Sequence, residues 1–306
     1  MPKSRKVIVA LVLVQVFFST LPIAVKFALR ELSSPALALL RVAGAAALFW
    51  IIQRATVRER VRGARDYALL AAYSLFGVIM NQLLYITALS LTTATAAQTL
   101  VTAGPAMTLL IAILLGRESG TPAKWLGIAL AGSGALVLVG VGLHEGSALG
   151  NLLALSNVAC YSIYLVISRG LLRRYNALTV ITWVFTFGVV GMLPWGLGAL
   201  LREAGGMSTT TWMLMLYIIV VPSVGAYYLN TWALGRAESS LVSTFVYMQP
   251  PITAALAVPL LHEHVSWRMI PAVVLIFAGV AVAIRAGRSR PAGEPPSPAD
   301  QEVVEP

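Results

Sequence analysis

The sequence is poor in what a water-facing surface requires. Only 11% of its 306 residues are charged, against 58% hydrophobic, and the mean hydropathy is +0.82. Soluble domains carry roughly 25% charged residues, so water is not the only solvent of this chain. Cysteine is nearly missing. Cys160 stands alone, which excludes an intramolecular disulfide framework and a thiolate metal site. The 12 acidic residues fall between apolar runs, at their ends or in the tail. Histidine is limited to His144, His262 and His264, all between runs, and two of these with Glu263 are too few for a metal centre. No cofactor is expected, and an integral-membrane enzyme lacks its cluster of acid, base or metal-binding groups.

What the chain does have is apolar runs of about 20 residues, the length that crosses a bilayer as a helix. Backbone groups in lipid must pair internally, which leaves helix bundles or closed barrels. The runs do not alternate in ten-residue segments, so helices are expected. They predict an all-α integral membrane fold of ten spans, near 7–29, 35–53, 67–89, 93–115, 122–142, 147–168, 178–201, 210–234, 239–261 and 267–286. The basic start, Met1 to Lys6, resembles a signal peptide. The apolar run behind it is too long for one, however, and reads as the first span.

The net charge of +10 is a topology signal and not a nucleic-acid footprint. Of 22 Lys and Arg, all but Lys26, Arg30, Arg41, Arg202 and Arg268 fall on one side of this layout. The positive-inside rule makes that side cytoplasmic, with both termini on it. Trp50, Trp125, Trp195, Trp212, Trp232 and Trp267 sit near span ends, where interfacial belts form. The Pro-rich segment 289–306 reads as a disordered cytoplasmic tail.

The chain also repeats itself. A shift of 145 overlays Ala88-Leu89 on Ala233-Leu234, Thr99 on Thr244, Pro105 on Pro250, Glu118 on Glu263 and Gly134 on Gly279. A shift of 143 overlays Ser19 on Ser162, Lys26 on Arg169 and Arg30 on Arg173. The halves are 1–144 and 145–288. Five spans is an odd number, so the second half inserts inverted, an arrangement common in secondary transporters with a site near the midplane.

The stretch Gly77 to Asn81, Ala88-Leu89, Pro105, Leu115-Gly116-Arg117-Glu118, Gly127 and Gly134 resembles the EamA repeat of the drug/metabolite transporter superfamily. Tyr228 to Ala233-Leu234, Ser239, Pro250, Glu263 and Gly279 repeat the resemblance, which spans nearly all of 7–286. It implies a ten-helix bundle with a central cavity that exports metabolites such as amino acids. Leu261-His262-Glu263-His264 departs from the Gly-Glu pattern of the first half.

Candidate site residues are those whose chemistry is out of place in hydrocarbon. Pro105 and the pair Pro250-Pro251 interrupt equivalent spans, which points to a transport site. Asn81 with Tyr85, Gln98 with Thr102, Asn157 with Tyr161 and Ser243 with Tyr247 are i, i+4 pairs, each on one helix face. Such faces turn inward, either as glue between helices or toward a wet cavity. Lys26 lies about a turn from a span end and can snorkel. Arg41 is six residues past Pro35, roughly 9 Å along the helix, where snorkelling is harder. Two cations at similar depth suit a carboxylate or phosphate, and Trp183 offers an aromatic wall. Glu118 and Glu263 read as structural or gating groups that cap or pair at helix ends, near Arg117 and Lys124 or His264 and Arg268. No span carries a buried acid, which argues against a cationic cargo.

The expected protein is a secondary transporter in a bacterial inner membrane, monomeric or homodimeric. Its partners are the bilayer and a small metabolite, amino acids first. The alternative is a flippase-like translocator of lipid-linked or sugar-phosphate cargo on the same fold. Alkaline phosphatase fused to either terminus is expected to be inactive, and the enzyme inserted after Gly205 active. Activity at both termini would reverse the orientation.

Overall fold

The computed structural model describes residues 5–145, 147–234, 245–264 and 266–288. All regular structure among them is helical. Helix α1 is Arg5–Ala28 and α2 is Ser34–Thr56, the latter starting after Ser33 with Pro35 in its first turn, where a missing N–H costs nothing. Helix α3, Ala64–Ser74, passes through a π-turn at Leu75–Ile79 into α4, Met80–Leu91. Helices α5, Ala94–Val101, and α6, Gly104–Leu114, meet at an angle of 42°. Then come α7, Pro122–Glu145, α8, Ala148–Ile167, the single turn α9, Arg169–Leu172, and α10, Ala177–Glu203. Helix α11, Thr209–Ile218, runs through a second π-turn, Ile219–Gly225, into α12, Ala226–Leu234. Helices Gln249–Leu261 and Met269–Arg288 complete the bundle.

Eight helices among the described residues are long and apolar enough to cross a membrane, and the bent α5–α6 pair makes up to nine. Val246–Leu261 is a shorter apolar segment. The ten expected spans are therefore matched by eight or nine.

The breaks recur between the halves. Shifted by 145, the first π-turn falls on 220–224, inside the second. The second has an evident cause: Pro222 lacks the N–H that would close the helix there. Ser223 Oγ donates instead to the Ile218 carbonyl at 2.7 Å. Pro105 and Pro250 each stand in the first turn of a new helix, just past an interruption.

The contacts between halves are reciprocal. A Cβ on Gly134 of α7 would lie 2.7 Å from the Ala272 carbonyl, and one on Gly279 would lie 2.6 Å from the Gly127 carbonyl. Shifting either contact by 145 yields the other, with the two helices antiparallel. On one face Glu203 accepts from Ser33 N at 2.8 Å, and Glu31 accepts from Ser208 N and Oγ, both at 2.8 Å. These Ser208 donors, with Thr211, hold the Glu31 carboxyl below its ordinary range. On the opposite face, which carries most of the Lys and Arg, Glu59 accepts from Asn176 N at 2.8 Å. There Arg174 and Tyr175 grip Asp66 at 2.8 and 2.6 Å.

Because backbones touch at Gly279, Gly279→Leu is expected to destabilise the bundle by about 1–3 kcal/mol through overpacking. A Cβ at Gly132 of α7 would meet nothing within 4 Å, so Gly132→Ala is expected to be neutral. Melting in detergent compares them, and equal melting temperatures would remove the close contact.

Candidate functional site

Arg41 is 4% exposed, about two turns into α2. Its Nε donates to Ser223 Oγ at 3.0 Å and its Nη1 to Gln82 Oε1 at 2.7 Å. The guanidinium is thus held between the second π-turn and the helix that leaves the first. No carboxylate among the described residues lies within ion-pair distance of it. An ion in this setting costs several kcal/mol unless it is paired, and two neutral acceptors leave most of its five N–H groups available. Tyr227 follows Ser223 by four residues and shares its helix face.

Two polar strings cross the bundle near this point. In the first, Arg41 reaches Gln82, Gln82 Nε2 donates to Asn81 Oδ1 at 3.3 Å, and Asn157 Nδ2 donates to the Asn81 carbonyl at 2.8 Å. In the second, Tyr85 Oη donates to Gln98 Oε1 at 3.2 Å, Gln98 Nε2 to Gln249 Oε1, and Gln249 Nε2 to Gln15 Oε1 at 2.6 Å. Ser19 adds bonds to the Gln15 and Gln249 carbonyls, and Thr253 donates to the Ser19 carbonyl. Helices α1, α4, α5 and Gln249–Leu261 are thereby joined through side-chain amides.

Of the expected residues, the structure brings together Arg41, Asn81 and Asn157 on one string, and Tyr85 and Gln98 on the other. The half-buried Tyr161 ring lies 5.9 Å from Tyr164. Thr102 gives its hydroxyl to the Thr99 carbonyl of its own helix. The Tyr247 ring meets Phe277 at 4.9 Å, tilted by 60°, and its buried hydroxyl has no hydrogen-bond partner among the described residues. Pro250 is buried and Pro251 exposed on the bundle's surface. Ser243 lies outside the described residues.

Trp183 packs elsewhere, among Trp50, Tyr67 and Phe187 at 4.8–6.0 Å. Trp50 is nine residues past Arg41, roughly 13 Å along α2, so this aromatic cluster does not wall the guanidinium.

Lys26 lies in neither string. Its Nζ is 3.8 Å from Glu263 Oε1, at the rim of a cavity of about 560 Å³ that Arg30, Ser90, Thr92 and Thr93 also line. Glu263 was expected to cap or pair at a helix end near His264 and Arg268, and the helix end it caps is a remote one. It turns instead to the start of α5, accepting from Ala94 N at 2.6 Å, Thr95 N at 3.2 Å and Thr95 Oγ1 at 3.1 Å. Free N–H groups and the helix dipole favour a carboxylate there more than exposed loop cations do. Glu118 does find Lys124, at 3.2 Å. Gly116 (φ 65°) and His262 (φ 55°) both take the left-handed conformation that turns the chain toward these glutamates.

Gln15, Ser19, Gln82, Ser223, Gln249 and Thr253 carry much of this centre and were missed. The i, i+4 rule would have found Gln15 with Ser19, Ser223 with Tyr227 and Gln249 with Thr253.

A helical membrane bundle of two reciprocal halves with a polar centre is the architecture of a multi-pass transporter. The chain belongs to the EamA-like transporter family of the drug/metabolite transporter superfamily; the family matches residues 5–140 and 148–285. An uncharacterized transporter of Archaeoglobus fulgidus is 25% identical over 84% of this chain and 90% of its own. A WAT1-related protein of Arabidopsis thaliana is 26% identical over 93% of this chain and 85% of its own. The uncharacterized transporter YdeK of Bacillus subtilis is 25% identical over 69% and 74%. A solved crystal structure, 21% identical, superposes with a TM-score of 0.63 over 94% of this chain and all of its own, which shows the fold alone. The chain is a membrane transporter of small molecules.

Gln249→Leu would orphan both Gln15 and Gln98. It is expected to cost about 1–3 kcal/mol per stranded amide. Asn157→Ala should cost about 0.6 kcal/mol, the average for a hydrogen bond between membrane helices. Thermal melting checks the order, and equal losses would remove the second string as a structural unit.

Proposed function

We propose that this protein exports small metabolites bearing a carboxylate, amino acids first, across a bacterial inner membrane by alternating access. Ten spans in two inverted halves, 1–144 and 145–288, would rock about the polar centre. The basic face and both termini would lie in the cytoplasm, as the positive-inside rule favours. Residues 289–306 would form a cytoplasmic tail.

The observation that carries this reading is Arg41, a buried guanidinium held by two neutral groups with no acidic partner among the described residues. A carboxylate entering the bundle would complete its pairing, bidentately if the cargo is suitably placed. A permanent cation would meet a like charge in a medium of low dielectric. Asn81, Tyr85, Gln98, Asn157 and Tyr161 supply neutral donors and acceptors around it. Tyr247, its hydroxyl unpaired among the described residues, stands by the interruption ahead of Pro250. Phosphate matches the guanidinium fork as well as carboxylate does, so sugar phosphates and phospholipid-like cargo form the second class to test.

Uptake into proteoliposomes is expected to show amino acids moving, quaternary amines excluded and sugar phosphates slow. Arg41→Gln should lower the initial rate by on the order of ten- to a hundredfold, the worth of a charge-assisted hydrogen bond, with Arg41→Lys between. Movement of quaternary amines alone would overturn the proposal. Movement of sugar phosphates alone would reassign the cargo.

A further inference from the structure

The Glu263 carboxylate joins three helices that are remote in sequence. It extends from the end of Gln249–Leu261, takes three hydrogen bonds from the first residues of α5, and faces Lys26 of α1. Beneath it these helices close on one another through Ile23 and Phe27 of α1, Ala94 of α5, and Leu256 and Ala257. Its side chain is 8% exposed, so the contact is packed and not a surface ion pair. The cavity lined by Lys26 and Arg30 opens above this junction, and Ser19, Gln98 and Gln249 lie below it. Seven residues separate Ser19 from Lys26, roughly 10 Å along α1.

The equivalent acid behaves differently. Elsewhere the halves repeat their contacts, at the glycine faces of α7 and Met269–Arg288 and at the clasps between loops. Glu118, at the place of Glu263 in the first half, is 36% exposed and holds only Lys124 and its own loop among the described residues. Among the described residues, one glutamate therefore bridges the halves while the other does not. In an inverted repeat, contacts made in one half alone separate one access state from the other.

We infer that Glu263 is the latch of the outer gate: its grip on Ala94 and Thr95 holds the pathway closed to the outside. Release would let α5 part from Gln249–Leu261 and α1 and bring the level of Ser19 and Gln249 into contact with outer water. The latch rests on the alternating-access reading but not on the identity of the cargo. Lys26 supports it by neutralising the carboxylate from the α1 side. A permanently closed state is avoided because the bonds from Ala94, Thr95 and Lys26 can be exchanged for water in the cavity above.

The test reads access without any substrate. In a full-length chain with Cys160→Ala, Ser19→Cys places a small reporter below the junction, where Ser19 is fully buried. A membrane-impermeant maleimide is added outside right-side-out vesicles. Glu263→Gln is expected to raise the labelling rate by roughly tenfold or more, as the charge-assisted bonds are lost and the open population grows. Glu263→Asp should give a smaller rise. Thr95→Val removes one of the three bonds with little change of shape; it should raise labelling severalfold, and it decides the matter if Glu263→Gln does not fold. Unchanged labelling in the folded variants would overturn the latch. Faster labelling, with a wild-type protein that moves no amino acid in proteoliposomes, would remove the proposed cargo and leave the latch standing.

Discussion

Hydrocarbon supplies no hydrogen bonds, so a polar group carried into this bundle must find its partner on another helix. The two polar strings are the result. Gln15, Gln249 and Gln98 come from three helices far apart in sequence and pair amide to amide, Gln98 donating through nitrogen to the Gln249 oxygen and Gln249 through nitrogen to the Gln15 oxygen. Asn157 reaches the backbone of Asn81, and the Ser223 hydroxyl takes up a carbonyl left by Pro222. Arg41 alone ends in a charge that the described neighbours do not neutralise. The centre is thus ordered by satisfied amides and biased by one positive charge, which gives a transporter both a fixed frame and a preference for anions.

The two halves show which contacts are frame and which are free to differ. The helix pair α7 and Met269–Arg288 meets through backbone at Gly127, Gly134 and Gly279, and small residues are what permit so close an approach. The loop clasps repeat, Glu203 on Ser33 N answered by Glu59 on Asn176 N, and at one position the charge is reversed. Glu31 and Arg174 correspond at a shift of 143; the first meets Ser208 and the second Asp66. A base thus stands on the basic face where an acid stands on the other, while the geometry is kept. Against this frame, Glu263 and Glu118 differ among the described residues, the first on three helices and the second on its own loop and Lys124.

Much of the fold was legible because length and hydropathy act locally: a run of 20 apolar residues is a helix in lipid whatever surrounds it. The repeat was legible for the same reason, since proline, glycine and glutamate at fixed spacing do not arise from apolar composition alone. Helix partners were not. Glu263 finds Ala94 and Lys26 rather than His264, because free N–H groups at a helix start outweigh an exposed neighbour, and no local rule brings residues 169 positions apart together. Trp183 was not placed by such reasoning either: it lies near the start of α10, packs on Trp50 towards the end of α2, and so sits roughly 13 Å along the bundle from Arg41. Arg41 was found from depth alone. Its partner Gln82 was not, since it has no polar neighbour four residues away to mark its face.

The π-turn at Leu75–Ile79 has a consequence of its own. Each extra residue in a helix advances the residues after it by about 100° around the axis. The residues before the turn, in α3, pack on α10, and those after it, in α4, pack on α8. One continuous rod is thereby wrung so that its two ends serve different neighbours, and Gln82 comes round to Arg41. A single deletion inside the turn would unwind that offset and swing Gln82 away without breaking a helix or exposing a charge. Within such a family, the direction in which a cavity's polar groups point could thus be reset by the length of one helical turn, with no change in the groups themselves.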